Sequence, residues 1–111
     1  MEKTVSYLEQ ARINRAKKIM EDIHLMNLHK EVHDMLMSPI DGKEILEQAK
    51  DQVNKWERGA ICNPAYISYW KEILSMPINF AMKKAMLRDD VIGVGMRKNS
   101  PFDFLFDELS I

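Results

Sequence analysis

Apolar side chains recur along this chain at intervals of three and four, the spacing that lays a stripe down one side of an α-helix. The first stripe runs through Val5, Leu8, Ala16, Ile19, Met20 and Ile23, with Arg12, Arg15, Lys17, Lys18, Glu21 and Asp22 filling the other positions. Thr4 or Ser6 is placed to cap this helix. Near Leu25-Met26-Asn27-Leu28 the stripe loses phase, and a new one begins with Leu28, Val32, Met35 and Leu36. The pattern predicts two helices with a break or bend near Asn27, rather than one long rod.

Further along, the punctuation is sharper. Ser38-Pro39 stops a helix, because the residue before proline is driven out of the α region. Asp41-Gly42-Lys43-Glu44 reads as a capping box, with the Asp41 side chain on the Glu44 amide. The helix it opens carries Ile45, Leu46, Ala49, Val53 and Trp56 on one face, and Gly59 is placed to end it in a left-handed conformation. Asn63-Pro64 is a cap followed by proline at the first helical position, where its missing N–H costs nothing. Tyr66, Ile67, Trp70, Ile73 and Leu74 follow at helical spacing. Pro77 separates that helix from the next stripe, Ile78, Ala81, Met82, Ala85 and Met86. One of Asp89-Asp90 caps a short turn over residues 91–96, which Gly93 and Gly95 weaken. After Ser100-Pro101, the tail Phe102-Asp103-Phe104-Leu105-Phe106-Asp107-Glu108-Leu109 fits both an alternating strand and a helix. The helix is the better fit, since no other strand exists for it to pair with.

The expected architecture is therefore all-α: a compact bundle of five or six short amphipathic helices in a single domain over 1–111. Residues 1–99 form its helical core and residues 100–111 an aromatic, acidic tail. Composition agrees. Apolar residues make up 46% of the 111 and charged residues 30%, a globular balance, and only four Gly and four Pro interrupt the helical pattern. A chain this long can bury one real core without metal or disulfides. The nine methionines suit irregular core gaps and also adaptable binding surfaces.

Charge narrows the function classes. Residues 1–30 carry six basic and four acidic side chains, 31–60 four and seven, and 61–111 six and six. No segment is a polybasic arm of the kind that grips phosphate or anionic lipid by charge alone. The single cysteine, Cys62, excludes an internal disulfide and fits a reducing compartment. No apolar run approaches the ~18 residues of a membrane span, and no signal-peptide core follows Met1. The expectation is a cytoplasmic protein without membrane attachment.

Candidate chemistry is sparse. His29 and His33 stand one turn apart near His24, a spacing two zinc ligands use, but Lys30 occupies the position where the metalloprotease helix needs its glutamate. No metal ligand, cofactor or catalytic residue is assigned. Cys62 has no local nucleophile signature, and Gly93-Val94-Gly95 lacks the strand, third glycine and lysine of a phosphate loop. Two partner classes remain. For a protein partner, which includes a second copy of the chain as a homodimer, the candidate anchors are Tyr69 and the tail residues Phe102, Phe104, Leu105, Phe106 and Leu109. The tail either folds back on the core or docks in a partner's groove. For nucleic acid, two basic clusters qualify: Arg12, Arg15, Lys17 and Lys18 early, and Lys83, Lys84, Arg88, Arg97 and Lys98 late.

No motif is specific to one family. The stretch Asn63-Pro64 to Trp70 and Leu74, with Arg97 and Asn99-Ser100-Pro101-Phe102, resembles in style short bacterial proteins of antitoxin-like or phage-associated contexts, and this assigns no residue roles. The functional expectation is a non-enzymatic protein-binding regulator or inhibitor, antitoxin-, immunity- or phage-accessory-like, that occludes a macromolecular partner. The alternative is a small helical nucleic-acid-binding regulator.

Overall fold

A computed structural model describes residues 6–60 and 62–109. The described residues form six α-helices and one 3-10 turn, with no strand among them: α1 (Tyr7–Leu36), α2 (Gly42–Gly59), α3 (Pro64–Leu74), α4 (Phe80–Met86), α5 (Val91–Lys98), the 3-10 turn Asp103–Leu105, and α6 (Phe106–Leu109). The all-α expectation holds, and the tail is helical rather than extended.

The predicted break near Asn27 does not occur. α1 is continuous for 30 residues, about 45 Å at 1.5 Å per residue. A change of stripe does not break a helix unless a residue there opposes helical geometry, and neither Gly nor Pro stands between Tyr7 and Leu36. Ser6 caps the N-terminus by accepting from the Glu9 amide at 3.1 Å. Val5 and the alternative cap Thr4 lie outside the described residues. Only Leu28, His29, Val32, His33 and Leu36 of α1 are buried, all in its C-terminal third. The rest projects from the body, which accounts for extents of 61 × 30 × 23 Å and a radius of gyration of 16.6 Å. A compact chain of this length has a radius of about 13 Å. The bundle is therefore somewhat extended, not compact as expected.

α2 and α3 form an antiparallel-type hairpin against the C-terminal part of α1, with α5 closing the other side of α3. The core is Val32 and Leu36 of α1; Ile45, Ala49, Val53 and Trp56 of α2; Ile67, Trp70, Ile73 and Leu74 of α3; and Met82, Met86, Met96, Phe102 and Leu105. Three methionines thus fill the space where the short helices α4 and α5 meet the hairpin.

Both ends of α2 fall where expected, but neither is capped as expected. The Asp41 side chain makes no capping bond, because Asp41 is already in the α conformation (φ −100°, ψ −22°). Ser38 Oγ instead accepts from the Ile40 and Asp41 amides, both at 3.3 Å. The left-handed residue after α2 is Ala60 (φ 52°), not Gly59, which stays helical. The other punctuation stands as expected. Asn63 accepts from the Ala65 amide at 2.9 Å with Pro64 behind it, and Asp90 Oδ1 accepts from Gly93 at 2.8 Å. The Gly93 amide and the Arg88 guanidinium hold the Asp90 carboxyl below its ordinary range. Asn79, unremarked in the sequence, caps α4 by accepting from Ala81 and Met82.

The glycines that weaken α5 on propensity are required by packing. A Cβ at Gly93 would lie 1.9 Å from the Arg88 carbonyl oxygen, and one at Gly95 would lie 2.1 Å from the Tyr66 hydroxyl.

Candidate docking surface

The feature that sets this molecule apart is the relation between the two halves of α1. At about 100° of rotation per residue, the buried residues Leu28, His29, Val32, His33 and Leu36 cluster on one side of the helix. Ile13, Ala16, Met20 and Ile23, with Ile19 beside them, cluster roughly 160° away by the same rotation. One helix therefore carries two apolar stripes on opposite faces. The C-terminal stripe is in the core. The N-terminal stripe is in solvent: Ile13 is 43% exposed, Ile19 58%, Met20 69% and Ile23 53%. The spacing already marked Ala16, Ile19, Met20 and Ile23 as one stripe, without Ile13, but left open whether it is covered, because a buried and an exposed stripe have the same spacing.

The arm is held in place at its root. Lys98 of α5 meets Asp22 at 3.6 Å. Two turns further on, His29 is enclosed: Nδ1 donates to the Leu25 carbonyl at 2.7 Å. The tautomer this requires leaves Nε2 to accept the Ser100 hydroxyl proton at 2.8 Å. Its ring stacks on Trp70 with centroids 5.8 Å apart and meets Phe106 edge-on at 5.4 Å. Burial lowers the His29 pKa to about 4, the Leu25 bond opposing and the nearby Arg97 charge adding to the effect. His29 and His33 do share a face, as their spacing implied, but they are buried rather than at the surface. His33 Nε2 donates to the Asn79 carbonyl at 2.9 Å, so both rings are engaged with the protein's own groups.

The structure scatters the anchors proposed for a protein partner. Phe102 is fully buried and Leu105 nearly so. Phe106 and Leu109 are half-buried against the core. Tyr69 is also half-buried, and the Arg88 guanidinium covers its ring at 5.0 Å. Of the six residues, Phe104 alone is exposed. The tail has folded back on its own chain, because Phe102, Pro101 and Ser100 fit a site beside His29 and Trp70.

The two basic clusters also part company. Arg12, Arg15, Lys17 and Lys18 are all exposed on the arm. In the late cluster, Arg97 is 1% exposed and donates to the Met86 and Arg88 carbonyls at 3.2 and 2.7 Å. Burial pushes its pKa down, which the charges of Asp22, Asp89 and Asp90 partly offset. Arg88 is paired with Asp90 and Lys98 with Asp22. Lys83 is half-buried and Lys84 exposed. These groups do not make one open basic face.

Chemistry elsewhere is limited. Burial raises the Cys62 thiol's pKa, the opposite of what an activated thiolate needs. A groove of about 230 Å³ between α2 and α3 is lined by Lys50, Val53, Asn54, Lys71, Leu74 and Ser75, with no histidine, cysteine or carboxylate on its walls. No helix among the described residues is long and apolar enough to cross a membrane. No family model, no curated protein and no solved structure matches this chain.

Proposed function

We propose that this protein is a non-enzymatic, protein-binding regulator that uses the projecting half of α1 as its docking surface and acts by occluding a macromolecular partner. One observation supports this reading above the others: the apolar stripe Ile13, Ala16, Met20 and Ile23 lies in solvent on the side of α1 away from the core. Contiguous apolar surface at a soluble protein's edge is a mark of interaction sites. The residues first considered for this role, Tyr69 and the tail, are mostly committed to the fold. The arm replaces them, with Phe104 a peripheral candidate.

A photo-crosslinking residue at Met20, introduced into the full chain and irradiated in cells of the organism that makes it, tests the reading. One specific protein should be captured at Met20 and not from position 50 on the body. Capture of nucleic acid, or no difference between the two positions, sinks it.

A further inference from the structure

Resting on that reading, we infer that the occupant of the arm is an acidic amphipathic α-helix of another protein, docked along Ile13, Ala16, Met20 and Ile23.

The geometry points to a helix. These four residues are spaced three, four and three apart, the seam that two helices share when side chains of one enter gaps in the other. The arm is one continuous helix whose residues 7–21 are almost all exposed, about 22 Å at 1.5 Å per residue. Ala16 lies between larger side chains and leaves a gap that a partner's leucine or isoleucine can fill.

The charge selects the partner. Residues 10–20 carry four basic side chains and no acidic one. With Ile13 and Met20 in the first seam position and Ala16 and Ile23 in the second, Arg12 and Lys17 flank the seam on its two sides. A partner helix places its own flanking side chains against them.

A second copy of the chain fits badly. In a parallel pair, Arg12 would face Lys17 of the other copy. In an antiparallel pair with Ile13 opposite Ile23, Lys17 would face its own equivalent. Either arrangement sets like charges beside the seam, where opposite charges fix partner choice. Nucleic acid would satisfy the charges and leave the isoleucines in water. Only an acidic helix satisfies both.

The test uses the full-length protein and two synthetic peptides of about three heptads. Both have leucine at the seam positions; one has glutamate at all flanking positions and the other lysine. The glutamate peptide should bind at least about tenfold more tightly by isothermal titration calorimetry, a difference of ~1.4 kcal/mol. The preference should reverse in the double variant Arg12→Glu, Lys17→Glu. Met20→Asp should abolish binding while circular dichroism stays unchanged, since Met20 lies outside the core.

Equal binding of the two peptides, or binding of neither, overturns the inference. So does dimerisation in sedimentation that Met20→Asp abolishes, which would seat a second copy on the stripe. Tighter binding to phosphatidylserine vesicles or to single-stranded RNA than to the glutamate peptide overturns it as well. If crosslinking at Met20 captures one protein and the glutamate peptide is still not preferred, the acidic-helix inference falls and the docking reading stands.

Discussion

His29 of α1 and Ser100 of the tail, 71 positions apart, share a fully buried hydrogen bond of 2.8 Å in which the serine hydroxyl donates to Nε2. Ser100 Oγ also accepts from the Phe102 amide at 3.1 Å. This bond joins the root of the arm to the segment that closes the core. In this direction it requires a neutral imidazole, the form that burial of the ring favours.

Stability should therefore fall in mild acid. The folded-state pKa of His29 is about 4, below the ordinary 6.5, so between these values the unfolded chain binds more protons and stability rises with pH. The contribution is complete above about pH 6.5 and is lost as pH falls toward 4, on the order of 3 kcal/mol in all. Urea denaturation at pH 7, 5.5 and 4.5 measures it. His29→Gln should be less stable at pH 7 and should flatten the dependence in this window. An unchanged pH profile would remove His29 as its source.

The tail separates two neighbouring phenylalanines. Phe102→Ala should cost about 3–5 kcal/mol, as loss of a fully buried aromatic does. Phe104→Ala should cost clearly less, on the order of 1 kcal/mol, since Phe104 keeps 39% of its surface in solvent where Phe102 keeps none. Thermal unfolding of the two variants gives the comparison. Equal losses would mean that the tail does not pack as described.

The arm offers the complementary contrast. Met20→Asp or Ile23→Asp should change stability by no more than about 0.5 kcal/mol, because these residues are 69% and 53% exposed. Met82→Ala, in a side chain that is fully buried, should cost roughly 2–5 kcal/mol. A large loss from Met20→Asp would place the stripe against the protein's own body.

Ala60 is the one non-glycine residue with positive φ among those described. A left-handed backbone costs an L-residue roughly 1–2 kcal/mol, which glycine avoids. Ala60→Gly should raise stability by about 0.5–1 kcal/mol after its larger unfolded-state entropy is counted. Differential scanning calorimetry should show a higher Tm, and a lower one would mean that Ala60 makes contacts that offset its strain.

The helical class and most helix boundaries were legible in the sequence because caps are local. Ser6, Asn63-Pro64 and Asp90 act on amides two or three residues away, so their identity and spacing carry the information. Asp41 and Gly59 show the limit. The box pattern was present at Asp41, but Ser38 took the Asp41 amide and the Asp41 side chain capped nothing, and the left-handed turn fell one residue past the glycine. In both cases backbone conformation set by neighbouring segments outweighed a local preference. Asn79 could have been found the same way as Asn63, since it too is an asparagine just ahead of an apolar helical stripe.

By itself, then, the sequence determined that this is a helical protein whose helices carry apolar stripes, and that α1 carries two of them out of phase. Only the tertiary structure decided that α1 is unbroken, that its C-terminal stripe is buried, and that its N-terminal stripe is left in solvent. The physical reason is that the hydrophobic effect is non-directional. A stripe records that a helix has a face to cover, and the cover is supplied by whatever surface lies within reach. For Val32 and Leu36 that surface is the core they share with the later helices, while among the described residues Met20 and Ile23 stay more than half exposed.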